Sequence, residues 1–188
     1  MTFSGSAPRT AVVYESMFGN TAAVAAAVAR ALEDSGAEVV CTDVGAADEA
    51  LARETDLLVL GAPTHAFSLS RANSRAGAVR QGADPSSEPT GLREWISTLQ
   101  AGPSQPRVAT FDTRAAQVSR LPLGAAPTAA RLARRRGFHV TQKPMTFVVE
   151  GTKGPLRAGE LERAAAWGRS LAETVRISTS DQEEGSGR

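Results

Sequence analysis

The sequence predicts an α/β protein organised on a doubly wound parallel sheet, and three observations predict it. Apolar runs such as Ala11-Val12-Val13 and Leu57-Leu58-Val59-Leu60 are continuous rather than alternating, as in strands covered on both faces. Between such runs, apolar residues return at helical spacing, as Val24, Val28 and Leu32 do. The resulting order of strand, helix, strand, helix, strand suits parallel strands joined by right-handed crossovers.

Each element follows from its residues. Arg9 to Tyr14 is the first strand. Ala22 to Leu32 is the first helix, stopped by Gly36. Glu38 to Asp43 is the second strand, with Cys41 expected as small core filler. Ala47 to Arg53 forms a short helix with Asp48 near its start, and Leu57 to Leu60 is the third strand. From Ser68 to Pro89 the apolar pattern fades into Gly, Pro, Ser and Arg, with room for a short helix around Arg75 to Gln81. A connection of that length reads either as a lid or partner surface or as a disordered insertion.

Thr90 to Ile96 opens another helix, whose Leu92, Trp95, Ile96 and Leu99 share one face, so Trp95 is expected in the core. Arg107 to Phe111 is the fourth strand. Ala125 to Arg136 is a helix ended by Gly137. Phe138 to Val149 holds the fifth strand, open to a break at Lys143-Pro144 because proline removes a ladder donor. The last helix runs from Glu160 to about Arg176, with Leu161, Ala165, Gly168, Leu171 and Val175 as its inner stripe. One domain is expected over residues 9–177, with a flexible N-terminus at 1–8 and a disordered polar tail at 178–188.

Composition narrows the function classes. A chain of 188 residues fits one domain, and 41% apolar with 22% charged residues suits a globular protein. No apolar run approaches the ~20 residues that span a bilayer, so no membrane partner is expected. Met1 to Arg9 lacks the apolar centre of a signal peptide, and a single cysteine fits a reducing compartment, so a cytoplasmic location is expected. Two histidines and one cysteine show no metal-ligand spacing, so no metal is expected. Charge is uneven: Glu33 to Asp56 holds eight acids and one arginine, whereas Arg107 to Arg136 holds seven arginines and one acid. The Arg134-Arg135-Arg136 run reads as the solvated end of a helix, where cations suit the dipole, or as a contact for nucleic acid or an acidic partner. No nucleic-acid-binding motif accompanies it, and no nucleic-acid partner is expected.

The stretch with chemistry in it is Val12-Val13-Tyr14-Glu15-Ser16-Met17-Phe18-Gly19-Asn20-Thr21. A strand, a tight polar turn and a helix start make an anion site, because the first amides of a helix lack internal partners and its dipole favours negative charge. Ser16, Asn20 and Thr21 add side-chain donors, and Gly19 permits a tight turn. No Lys-Ser/Thr follows the glycine and no G-x-G-x-x-G is present, so neither the nucleoside-triphosphate loop nor the dinucleotide turn is indicated. The alternative is an ordinary strand–turn–helix with a capped helix.

From Val12 through Val28 these residues resemble the flavodoxin signature: two aliphatics, an aromatic, a serine, a glycine, a threonine, then Ala25 and Val28 on the helix. The resemblance implies a flavodoxin-like three-layer sandwich with a five-stranded parallel sheet in the order 2-1-3-4-5, and FMN as cofactor. It implies that Ser16, Met17, Phe18, Gly19, Asn20 and Thr21 hold the FMN phosphate. Gly61-Ala62-Pro63-Thr64-His65-Ala66-Phe67 also resembles the family, whose loop there covers one face of the flavin ring. Pro63, Thr64 and His65 are then expected at the ring edge, with Phe67 or His65 packed against it. Ligands of such sheets sit at the carboxyl ends of the strands where strand order reverses, between strands one and three here, so the two loops would share one crevice. The third loop expected at the ring is Asp112-Thr113-Arg114.

The sequence departs from the best-known flavodoxins in having no aromatic residue between Thr113 and Gly137. One flavin face is therefore expected to be bare, or covered by Leu121 and Leu123. Arg71, Arg75, Arg114 and Arg120 fall in loops bordering the site and would favour an anionic reduced flavin, by the same argument that a nearby cation lowers a carboxyl pKa. The function implied is an electron carrier between a reductase and a redox partner protein. The alternative is an FMN-dependent NAD(P)H:quinone-type oxidoreductase with an open flavin face. No nucleophile–base pair can be read, and His65 stands either as a proton donor or as a packing residue.

Overall fold

The computed structural model describes residues 7–84, 89–102 and 106–185, with side chains to Val175. Its sheet contains β1 (Arg9–Tyr14), β2 (Glu38–Asp43), β3 (Leu57–Pro63), β4 (Arg107–Ala115), β5 (His139–Val140) and β6 (Met145–Val149). The helices are α1 (Asn20–Asp34), α2 (Leu51–Glu54), α3 (Ala72–Arg80), α4 (Leu92–Thr98), α5 (Ala125–Arg135) and α6 (Glu160–Gly185). All the strand pairings are parallel, in the order β2-β1-β3-β4-β5, with β6 also on β4. The fifth position is thus shared by two short strands, β5 beside Arg107–Val108 and β6 beside Phe111–Ala115. The break falls at Lys143-Pro144, where a ladder N–H is missing.

Alternation along the strands builds the three layers. Leu58 and Leu60 of β3 face one core with Leu92, Trp95 and Ile96 of α4 and Ala129, Ala130 and Ala133 of α5. Leu57 and Val59 face the other core with Val24, Val28 and Leu32 of α1 and Trp167, Leu171 and Val175 of α6. Trp95 is buried as expected, and its indole N–H donates to the Ala47 carbonyl at 3.1 Å. Trp167 meets Phe111 edge-on at 6.0 Å, and Phe111 meets Phe147 at 5.9 Å.

Four local expectations change. β4 continues past Phe111 to Ala115, because β3 on one side and β6 on the other keep its ladder paired. Cys41 is exposed rather than buried, since β2 is an edge strand with no buried position. The inner face of α6 is Ala164, Trp167, Gly168, Leu171 and Val175, whereas Leu161 points outward. The backbone of α6 is helical through Gly185, past the Arg176 end that the apolar stripe predicts. Residues 1–6 of the expected flexible N-terminus and 186–188 of the expected tail lie outside the described residues, as do 85–88 of the long connection.

Candidate functional site

The first wall of the site is the turn after β1. Gly19 adopts a left-handed conformation (φ 82°) and starts α1 without a side-chain cap of its own. That φ is open to glycine at little cost and turns the chain sharply into the helix. Ser16 Oγ accepts from the Ala22 N–H at 3.2 Å, taking up one first-turn donor. Asn20 Nδ2 donates to the Lys153 carbonyl at 2.9 Å, tying the turn to the segment after β6. Thr21 is buried, with its hydroxyl 2.8 Å from that of Thr113 on β4.

The second wall follows β3. The Thr64 N–H donates to the Thr113 carbonyl at 2.9 Å. Thr64 Oγ1 donates to Asp112 at 3.1 Å and accepts from the Ala125 N–H at 2.9 Å. His65 and Ser68 exchange backbone hydrogen bonds at 2.9 Å around Ala66 and Phe67, whose φ values are 45° and 62°. Two successive left-handed residues make this a type I′ turn, which asparagine and glycine normally occupy. Burial holds the His65 pKa below its usual value, and the Arg75 charge adds to the effect.

Beneath these walls lies a buried ionic knot. Asp112 is fully buried and receives Arg114 Nε at 2.9 and 3.0 Å and Arg114 Nη2 at 2.9 Å. The same carboxylate takes the Ala126 N–H at 2.9 Å, at the start of α5. On the other side of the turn, Glu15 accepts the Leu92 N–H at 2.8 Å. Arg75 is 1% exposed and donates to Ser70 Oγ and to Glu94, both at 3.1 Å. Burial raises the Glu15 pKa, opposed by hydrogen bonds from Ser70 and Leu92 and by the Arg75 charge.

The walls enclose a cavity of about 420 Å³ at the carboxyl ends of β1, β3 and β4. Met17, Phe18, Asn20 and Thr21 line it from the first turn, Pro63, Thr64 and His65 from the second, and Thr113 and Arg114 from β4. Its size lies in the range of cofactor and ligand pockets.

The flavodoxin family model matches residues 12–92, the span from β1 through the second turn to the start of α4. The fold is flavodoxin-like. No curated protein sequence matches it. Among solved structures, a flavodoxin from the domain Archaea shares 18% identity at a TM-score of 0.63, over 89% of this chain and 99% of that one. Oxidised flavodoxin 2 from Bacillus cereus gives 15% identity and 0.62, over 88% and 99%. The flavodiiron protein from Giardia intestinalis gives 18% and 0.59, covering 90% of this chain but 36% of that one. At these identities the likeness is one of fold.

Nine of the thirteen residues expected around the flavin line the cavity. The other four sit beside it. Ser16 braces α1, Gly19 makes the turn, Asp112 lies underneath as the acceptor of Arg114, and Phe67 is 48% exposed at its turn. Asp112, Thr113 and Arg114 belong to the end of β4 rather than to a loop, and all three are buried. Two of the four arginines expected to bias the flavin are paired with carboxylates, Arg75 with Glu94 and Arg114 with Asp112; Arg71 and Arg120 are exposed.

Sequence reasoning missed two walls. Ser74, Gly77, Ala78 and Gln81, on α3 and at its C-cap, line the cavity at helical spacing. Their only legible signal is that spacing, because small residues carry no apolar stripe. Ala78 also packs with Ala83 on Met17, so α3 rests directly on the first turn. Val149, Gly151 and Thr152 close the site from the end of β6. Leu121 and Leu123, expected over the flavin, are exposed and lie outside the lining.

Proposed function

We propose that this chain binds FMN in the cavity and carries electrons between a reductase and a redox partner protein. The observation that supports it is convergence. The turn carrying the flavodoxin signature, the turn after β3 and the end of β4 meet around one cavity of about 420 Å³, at the reversal point of a 2-1-3-4-5 sheet. The donor chemistry suits a phosphate monoester: helix-start amides of α1, the Asn20 amide and the Thr21 hydroxyl, with the Lys153 ammonium 5.7 Å from the Phe18 ring of the same turn.

FMN supplies the electron-transfer chemistry when bound. The chain's own residues hold and screen it. Backbone amides from Met17 to Thr21 are the candidates for the phosphate. Pro63, Thr64 and His65 offer backbone groups to the ring edge, and Thr113 and Arg114 offer the opposite side. α3 lines the cavity beside the first turn, where Ala78 packs with Met17 and Phe18. The lowered His65 pKa favours the neutral ring, which has one N–H donor and one acceptor nitrogen and brings no charge. The oxidoreductase alternative rested on a bare flavin face. Thr113, Arg114 and Ala115 line the cavity from that side without an aromatic residue, so reduction by a nicotinamide donor alone decides between the two readings.

The test is addition of FMN to cofactor-free protein, followed by visible absorbance, flavin fluorescence and thermal unfolding. At 100 times Kd, a ligand specific for the folded state adds about 2.7 kcal/mol. For a chain of this size that raises Tm by roughly 5–11 °C. Unchanged fluorescence and Tm at saturating FMN would overturn the assignment. Rapid reduction of the loaded protein by NADH or NADPH alone would restore the oxidoreductase reading.

A further inference from the structure

Resting on the carrier reading, we propose that the mouth of the cavity docks an acidic redox protein, through an exposed apolar centre ringed by arginines. Four large apolar side chains are exposed among the described residues, and three of them lie on segments that adjoin or bond to lining residues: Phe67 at 48%, two residues past His65, and Leu121 at 44% and Leu123 at 59%, on the segment held by Arg114 and Thr64. Hydrogen bonds fix their position. Arg114, which lines the cavity, donates through Nη1 to the Leu121 carbonyl at 2.7 Å. Ala125, two residues past Leu123, donates to Thr64 Oγ1, and the Phe67 turn begins at the next residue, His65.

Phe67 is a costly residue where it stands. A non-glycine residue at φ 62°, beside another at 45°, is held against its own preference, and its ring is half in water. Neither the turn nor the core of the isolated chain benefits from a phenylalanine there. A partner surface would. Strained residues at functional positions are a recognised pattern.

Charge selects the partner. Residues 57–83 and 113–133, from which both lips of the mouth are drawn, contain six arginines and no aspartate or glutamate, and two of the six, Arg75 and Arg114, are paired with Glu94 and Asp112. Arg93 braces the Phe67 turn through Ser68 Oγ at 3.0 Å and the carbonyls of Leu69 at 2.9 Å and Ser70 at 3.1 Å. Arg71 and Arg131 lie close enough to repel it electrostatically. Arg120 adjoins Leu121 and is exposed, as are Arg71 and Arg131. Among the described residues near the mouth, Asp112 is engaged by Arg114, Glu94 by Arg75, Glu15 by the Leu92 amide and Glu150, beside the lining residues Val149 and Gly151, by Arg157; Asp84, past α3, is exposed. The acid-rich span, 33–56, includes β2 on the far edge of the sheet. An apolar centre with a cationic rim fits a partner with an apolar spot inside an acidic rim, and it steers one of that charge.

The experiment is an NMR titration of isotope-labelled, FMN-treated protein with two probes of opposite charge, an acidic [2Fe–2S] ferredoxin and the basic haem protein cytochrome c. FMN uptake is read separately by absorbance, so a colourless protein sinks the carrier reading while the titration still scores the surface. Ferredoxin is expected to shift amides at Phe67, Arg71 and 120–123, and to lose affinity about tenfold or more as salt screens the contact. Arg71→Glu with Arg120→Glu should abolish those shifts. Leu123→Ser should weaken binding without changing the salt dependence. Arg134→Glu with Arg135→Glu, at the opposite end of α5 from the mouth, should have a smaller effect. Absence of ferredoxin shifts, shifts centred on residues 33–56, preference of the mouth for cytochrome c, or equal loss from the Arg134/Arg135 pair would each overturn the proposal.

Discussion

Replacing Asp112 with alanine tests whether the site is built on the buried ionic knot. The carboxylate is fully buried and holds three things: the Arg114 guanidinium, the Ala126 amide at the start of α5, and the Thr64 hydroxyl of the second turn. Asp112→Ala leaves the Arg114 charge in a site where its side chain is 4% exposed, with no counter-ion. Breaking one half of a buried pair costs about 3–5 kcal/mol. At roughly 2–4 °C per kcal/mol for a chain of this length, Tm should fall by about 6–20 °C. Urea unfolding followed by circular dichroism measures the change, with an unaltered m value confirming that the native state stays compact. The companion is Asp112→Leu with Arg114→Met, which removes both charges. It should recover most of the loss, leaving about 1–3 kcal/mol for the orphaned Ala126 amide. A cost below about 1 kcal/mol for Asp112→Ala would refute the reasoning, as would a double variant no better than the single one.

Other outcomes follow from the same geometry. Gly61 faces Phe111 across β3 and β4, and a Cβ there would overlap the ring; Gly61→Ala should cost about 1–3 kcal/mol in urea unfolding, and Phe111→Leu should relieve part of it. Glu15 has a folded-state pKa raised above 4.5, chiefly by burial, so its ionisation weakens the fold as pH rises through the window above that value. The stability of the native chain relative to Glu15→Gln should therefore decline with rising pH above about 4.5, and a gap that is flat or widens would contradict it. An NMR titration should place the His65 midpoint below 6.5, and a higher one would mean that desolvation and Arg75 do not dominate its environment. Ala66→Gly removes one left-handed alanine from the I′ turn; the relieved strain of about 1–2 kcal/mol outweighs the added unfolded-state entropy of about 0.4–1 kcal/mol, so the urea midpoint should rise slightly.

Much of the architecture was legible because burial on both faces leaves a plain record. β1 and β3 are apolar without interruption, Trp95 shares a helical face with Leu92 and Ile96, and Pro144 marks where the outer strand breaks. The first turn was legible because it needs particular residue types at fixed spacing. The end of β4 was harder: Asp112 and Arg114 look like loop residues until one sees that they satisfy each other inside the sheet. Sequence also does not record where long side chains go, so Arg75 and Arg114 passed for free cations. α3 was visible as a short helix but not as a wall, since Ser74, Gly77 and Ala78 line a cavity by being small. Cys41 shows a further limit, because which strand lies at the margin depends on topology rather than on its own residues.

The divided outer strand has a consequence for how these molecules behave when crowded. A long flat margin of unpaired amides invites another sheet to add on, which is the first step of aggregation. Here that margin is two residues, an interruption with a proline in it, and five residues more. An incoming strand would find no continuous template. On the opposite margin β2 begins with Glu38 and ends with Asp43, so a second copy approaching there meets like charge at both ends.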